Sequence, residues 1–457
     1  MIKKKQTNPQ KSFWISTEEL QVKPQLTFYK KLDELLAKIE FGKQVREFCQ
    51  SYYSPKSNCR PPIDPEAYFK MLIVGFFEGI ASERAIASRC ADSLSIRAFL
   101  HYDISEATPE HSSMTVIRQR LPEGVFSQVF SKVLAAMKQY GMVKGKNLSL
   151  DSSIIESNAS LKSLVNRMTE ESYAEYIKSL AQQAGVNPED HAAVARFDRK
   201  REGRKTSNEE WFNPNDPDAK IGKTKDGASD MIYKPEHIVD LDTGAIVDAT
   251  IIEGDKGDTH QLTERIIEAQ IRLNDIAEDP AQAAPIESIT ADKFYYNTDE
   301  LVSIQSIGIA TVIPDKDYER NMDKLDDEQH LAVELAKSEV KSKQGKSLLK
   351  KRGMYVERSF AHVLDCGAYR RTTMRGRGNI QKRYYIATAC FNISLLMRAI
   401  YGFGTLKQLL CTSKTFFIFI INQTLLINRA FFEFRFNMFL FNYVKERLLV
   451  KCYQNQY

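Results

Sequence analysis

The 457-residue chain is longer than a single hydrophobic core normally supports, which predicts two or three domains. With 43% hydrophobic and 27% charged residues it falls in the soluble globular range, excluding a wholly disordered or fibrous protein. Sixty-four Lys and Arg against 59 Asp and Glu leave a net charge of only +5, so total charge singles out no partner.

Its seven cysteines are odd in number, widely spaced and free of any CxxC pair, which fits a reducing cytosol better than a disulfide or zinc framework. The N-terminal MIKKKQTNPQKSFW is basic but is not followed by the apolar stretch of a secretory signal, so a cytoplasmic location is expected. Basic residues are clustered in Arg196 to Lys205, Lys341 to Arg352 and Arg370 to Arg383, where they can either neutralise a phosphate backbone or form solvated faces.

From Leu26 to about Tyr140 apolar residues recur at helical spacing, as in Leu32, Leu35, Leu36 and Ile39, predicting five or six short helices. Ser82 to Cys90 followed by Ser93 to His101 has the rhythm of a helix-turn-helix, although packed helical pairs share that rhythm and are the more common case.

At Lys146 the pattern changes. Asn147 to Ile155 is β-prone, and Ile232 to Asp240 and Ala245 to Ile252 flank Asp242-Thr243-Gly244 as a hairpin. Between them lie a helical pattern near Glu170 to Gln183 and a polar stretch, Asn208 to Asp230, expected as mobile loop. An amphipathic run at Thr259 to Ala277, a strand at Ile286 to Ala291, a helix at Asp299 to Ser306 and a strand at Ile309 to Pro314 follow. A charged helical stretch, Lys316 to Lys351, leads into Gly353 to Leu364. Thr415 to Ile427 is too short and too interrupted to span a membrane, for which about 20 apolar residues are needed.

Three acids stand out. Asp151 ends LSLD and Asp292 ends SITAD, so each leaves the end of a strand; Glu357 lies beside the helical stripe Val356, Phe360 and Val363 to Leu364. Phosphodiester transfer develops charge on the attacking and leaving oxygens, and two Mg²⁺ or Mn²⁺ ions held by carboxylates about 3.5–4 Å apart stabilise both. The strand ends alone are not specific; their order in the chain is that of the ribonuclease H-like fold.

Of the other polar residues, His237 and Asp240 fall on opposite faces of their strand, favouring routine hydrogen bonds over a shared metal. Asp258 fits a helix cap and Trp211 local loop packing, with base stacking as its alternative; His362 reads as adjacent structure.

KGKNLSLDSSIIESNAS, YKPEHIVDLDTGAIVDATIIEGDKGDTHQL, ADKFYYNTDEL and VERSFAHVLDCGAYRRTTMRGRGNIQKRYYIATACFNISLLMRAIYG resemble the blocks of bacterial insertion-sequence DDE transposases, from about Leu32 to Gly404. Phe294 stands where that family carries glycine, and Gly378 where it tends to carry an acid.

The resemblance implies an α/β protein: a ribonuclease H-like mixed-sheet catalytic domain with an all-α N-terminal domain. The expected divisions are a basic arm at 1–25, a helical DNA-binding domain at 26–145, a catalytic domain at 146–404 with an insertion at about 164–230, and an aromatic extension at 405–457. It further implies that Asp151, Asp292 and Glu357 hold two Mg²⁺ (or Mn²⁺) ions and catalyse DNA cleavage and strand transfer. Lys293, Arg352, Arg358, Arg370, Arg371 and Arg375 are then phosphate contacts.

The implied partners are double-stranded DNA, as terminal inverted repeats and target, and further copies of the chain when DNA is bound. No membrane is involved, and the location is at the nucleoid. Two alternatives remain at this point: an inactive DNA-binding remnant and a metal-dependent nuclease without strand transfer. The Phe-, Ile-, Asn- and Lys-rich tail is compatible either with a packed extension or with AT-rich DNA read in an unselected frame.

Overall fold

A computed structural model of the chain describes residues 24–53, 63–202, 207–224, 226–257, 261–277, 284–316 and 325–411. Asp258 and the Thr415 to Ile427 run lie outside these residues. Residues 29–402 form one compact unit. The remaining described residues belong to a second, in which the rings of Phe28 and Phe403 lie 6.3 Å apart.

The first part of the chain is helical: α1 (Pro24–Lys38), α2 (Phe41–Cys49), α3 (Pro65–Phe77), α4 (Glu83–Asp92), α5 (Leu94–Phe99), α6 (His111–Arg120) and α7 (Glu123–Gln139). These are seven helices among the described residues, where spacing predicts five or six. The start of α3 follows from its sequence. Asp64 accepts a hydrogen bond from the Glu66 amide, and Pro65 stands at the first helical position, where a missing N–H costs nothing. Ser82 caps α4 through the Ala85 amide. The helix-turn-helix rhythm corresponds to α4 and α5, but α5 is only six residues long and buries Ile96, Arg97 and Phe99. Those three side chains pack inward, while Leu94 and Ala98 are exposed.

The remainder is mixed α/β: β1 (Asn147–Ser152), β2 (Ile155–Glu156), β3 (Val165–Asn166), α8 (Tyr173–Gln183), α9 (His191–Lys200), β4 (Trp211–Phe212), β5 (Lys220–Lys223), β6 (Ser229–Asp240), β7 (Ile246–Glu253), α10 (Leu262–Asp275), β8 (Ser288–Thr290), α11 (Thr298–Ser306), β9 (Ala310–Val312), α12 (Asp327–Lys341), α13 (Lys343–Phe360) and α14 (Arg377–Tyr401).

The long strand β6 pairs antiparallel with β1, β2, β5 and β7, while β1 pairs parallel with β8 and β8 with β9. The hairpin between β6 and β7 turns at Gly244, whose φ of 80° disfavours any side chain. A Cβ at Gly244 would also meet Tyr355 Cδ1 at 2.7 Å.

Asn208 to Asp230, expected as mobile loop, instead contains β4 and β5, and β5 joins the main sheet along β6. Burial and hydrogen bonding explain the difference. Trp211 is 4% exposed and packs edge-on against Tyr173, with Tyr176 beside it, which confirms local packing for that ring. Buried Asp216 accepts from Tyr233 Oη at 2.6 Å and from the Gly376 amide at 2.9 Å, while Asp218 accepts from the Arg377 amide at 2.9 Å. Two acids of the insertion thus satisfy amides that α14 leaves open at its N-terminus.

By length and apolar composition, the helix beginning at Arg377 is the one described helix suited to crossing a membrane. Nearly every residue from Ile380 to Met397 is nevertheless buried within the protein, as in a core helix.

Candidate functional site

The site starts from two adjacent parallel strands. β1 and β8 run in register, with Ser149 opposite Thr290, so Asp151 and Asp292 emerge side by side two residues further on. Side-chain bonds lace the strands along this face: Ser288 Oγ donates to Asn147 Oδ1 at 2.8 Å, and Ser149 Oγ donates to the Thr290 carbonyl at 2.8 Å. Asp292 also caps a turn of 3₁₀ helix, Lys293–Tyr295, by accepting from the Phe294 amide at 3.1 Å. Phe294 is not among the residues with positive φ, so this turn does not require the family's glycine. Its ring is 59% exposed beside Asp292, with Lys293 Nζ 5.5 Å from the ring centre.

α13 lies across the same sheet face. Arg352 Nη2 donates to Asp151 Oδ2 at 2.8 Å and reaches Asp292 Oδ2 at 3.4 Å, so one guanidinium nitrogen serves both aspartates. Seven residues on, Ser359 Oγ lies 2.8 Å from His237 Nδ1, and His237 is the cross-strand partner of Asp151. His237 is fully buried, stacks on Phe360 at 4.1 Å and meets Tyr384 Oη at 2.6 Å through Nε2. Burial away from water lowers its pKa to about 3, which keeps the ring neutral. The routine hydrogen-bonding role expected for His237 is the one found. Asp240 likewise accepts from the Lys144, Gly145 and Asp242 amides. His362 is half-buried and packs against Phe391.

Glu357 is exposed. Five residues beyond Arg352 on a helix is a turn of about 140°, which carries it away from the face that Arg352 and Ser359 present to the sheet. Among the described residues, no group of three or more His, Cys, Asp or Glu side chains is arranged to hold a metal. The structure therefore brings Asp151 and Asp292 together and leaves Glu357 outside the pair.

Of the expected phosphate contacts, Lys293 adjoins Asp292 and is exposed. Arg370 pairs with Asp365 at 2.6 Å and donates to Ser153 Oγ at 3.2 Å, two residues past Asp151. The segment carrying Arg370, Arg371 and Arg375 is bonded along β2: the Glu156 amide donates to the Arg370 carbonyl at 2.9 Å, and Arg375 Nε donates to the Asn158 carbonyl at 3.3 Å. Arg371 and Arg375 are exposed there. Arg358 lies elsewhere, over Tyr355 and beside the Gly244 turn.

The pairing of Arg352 with the aspartates is absent from the sequence reading, which assigns that residue to phosphate alone. A signal was present. Arg352 stands four residues after Leu348 and four before Val356, both buried, and a cation on a buried helical stripe needs an acidic partner.

The donor set fits a divalent cation. Two partly exposed carboxylates, which are hard oxygen donors, already converge on one positive charge, and the Asp292 side leaves room for water.

Fold and site together define a mixed α/β protein with an acidic pair at adjacent strand ends and basic side chains around it. Residues 18–120 match the family model described as a transposase domain (DUF772), which supports a transposase. No curated protein and no solved structure matches it.

Proposed function

We propose that this protein is a transposase that cleaves DNA at the ends of an insertion sequence and joins them to target DNA, acting in the cytoplasm at the nucleoid. The observation that carries this reading is the convergence of Asp151 and Asp292, from adjacent parallel strands, on a single positive charge. The strand path β7–β6–β1–β8–β9, antiparallel through the hairpin and parallel after β1, supports a ribonuclease H-like sheet with these acids at its centre.

Asp151 and Asp292 would hold Mg²⁺ or Mn²⁺, with Glu357 the third acid by chain order. Bound there, the ions would supply Lewis-acid stabilisation of the attacking and leaving oxygens. The protein's own part is positioning. Lys293, Arg370, Arg371 and Arg375 neutralise backbone phosphates beside the aspartates, Arg352 extends that basic rim along α13, and Arg358 would meet phosphate separately, beside the Gly244 turn. Double-stranded DNA is the partner, with further copies of the chain joining two ends.

The position of Glu357 favours a second reading, a DNA-binding remnant that recognises ends without cutting them. Labelled element ends incubated with Mg²⁺ or Mn²⁺ separate the two. Cleavage and joining by the wild type, lost in Asp151→Ala and Asp292→Ala, support the transposase. Binding without nicking supports the remnant, nicking without joining a nuclease, and cleavage that survives Asp151→Ala overturns the site.

A further inference from the structure

We propose that Arg352 is a built-in stand-in for the divalent cation: it bridges Asp151 and Asp292 in the free protein and moves to a DNA phosphate when metal enters. This inference rests on the reading of those two aspartates as the metal-holding pair.

The idle Nε distinguishes Arg352 from Arg46 and Arg370, which use theirs on a carboxylate. Arg46 grips Asp64 side-on, through Nε at 3.1 Å and Nη2 at 2.7 Å, and Arg370 grips Asp365 in the same way at 2.6 and 3.3 Å. Arg352 divides Nη2 between two carboxylates, as Arg46 does between Asp64 and Glu66, but its acids stand at the ends of two adjacent strands and its Nε grips neither. Its Nε is buried and has no hydrogen-bond partner. A guanidinium presents a planar fork matched to a carboxylate or a phosphate, and here half of the fork is unused. Nη2 thus occupies the position of a shared ion, leaving Nε to be satisfied by a second anion.

Two carboxylates side by side repel unless a cation lies between them, so Arg352 relieves that repulsion before metal arrives. Metal and guanidinium compete for the same oxygens. A phosphate at the basic rim formed by Lys293 and Arg370 would draw the guanidinium away and release the aspartates, and by reciprocity DNA then tightens metal binding. Metal loading is in this way coupled to the presence of substrate.

The test is Mn²⁺ affinity, read from the free-ion electron paramagnetic resonance signal, for wild type, Arg352→Gln, Arg352→Lys and Asp151→Asn, with and without a short DNA duplex. Without DNA, R352Q should bind Mn²⁺ roughly tenfold more tightly than wild type, and R352K, which keeps the charge, should stay near wild type. The duplex should tighten binding in wild type, beyond what D151N shows with the same duplex, but not in R352Q. Equal or weaker Mn²⁺ binding by R352Q overturns the stand-in role, as does a wild-type affinity indifferent to DNA. Mn²⁺ binding undiminished in D151N overturns the metal-site reading itself, an outcome distinct from either.

Discussion

Asp151 and His237 are cross-strand partners on β1 and β6, and each is held from above by α13: Asp151 by Arg352 at 2.8 Å, His237 by Ser359 at 2.8 Å. Residues directly opposite on an antiparallel pair share a face, and residues seven apart on a helix share a side. Two neighbouring points on the sheet thus meet two points on one helical stripe, which fixes the rotation of α13. Ser359 Oγ also donates to the Val356 carbonyl at 2.8 Å, so it accepts from His237 Nδ1. Ser359→Ala would leave that buried N–H without a partner. A loss of about 1–3 kcal/mol in urea unfolding is expected; no loss would mean that this contact does not help to seat the helix.

The same buried imidazole gives stability a pH dependence of known sign. In the unfolded chain a histidine titrates near 6.5, whereas in the fold burial holds His237 at about 3. Between those values the unfolded state binds the extra proton. The contribution of neutral His237 is therefore complete above pH 6.5 and declines as the pH falls towards 3, by about 1.4 kcal/mol per pH unit. Burial beside Arg398 and Arg358 lowers His362 as well, so a single melting curve mixes two groups. The difference between wild type and His237→Gln isolates one. That gap should narrow as the pH is lowered from 6.5 towards 4, and a constant gap would refute the buried-neutral assignment.

Periodicity carried much of the architecture. The hairpin at Asp242-Thr243-Gly244, the amphipathic α10 and the strands ending near Asp151 and Asp292 all fall where spacing places them, because each buries one regular apolar face. Glu357 shows where that logic stops. The apolar stripe of α13 was legible, but its rotation depends on Arg352 and Ser359 finding partners on strands far away in sequence. The insertion failed as a sequence reading for a similar reason. Asp216 and Asp218 look like loop residues until Gly376 and Arg377, about 160 positions later, supply the amides they bind.

Those acids make a direct prediction. Asp216 is fully buried, and Asp216→Ala would strand both the Tyr233 hydroxyl and the Gly376 amide. Each unsatisfied buried group costs about 1–3 kcal/mol. Gly378, where the family resemblance leads one to expect an acid, lies in the first turn of α14 with Glu123 Oε2 3.9 Å from where a Cβ would stand. Carboxylates at 218 and 123 thus supply negative charge at this helix terminus from other elements. Asp216→Ala should lower the unfolding midpoint and raise amide exchange at the start of α14. Unchanged exchange there would show that the insertion does not brace the helix.

Among the described residues β7 pairs with β6 alone, and its outer edge is closed by α14. Asn392 accepts from the Ile246 amide at 3.0 Å and donates to the Ile246 carbonyl at 2.8 Å; Gln381 accepts from the Ile251 amide at 2.5 Å and donates to the Ala249 carbonyl at 3.1 Å. Two side-chain amides thereby occupy backbone groups that would otherwise offer an open edge to another strand. Asn392→Leu has similar bulk but cannot make either bond, and both partners are buried. The expected result is a loss of about 2–4 kcal/mol, combining two unsatisfied groups, together with concentration-dependent association of the variant. Light scattering on dilution distinguishes the two consequences. Destabilisation without association would mean that the packing of α14 alone protects the edge, whereas association at unchanged stability would mean that the amide matters chiefly as a guard against pairing.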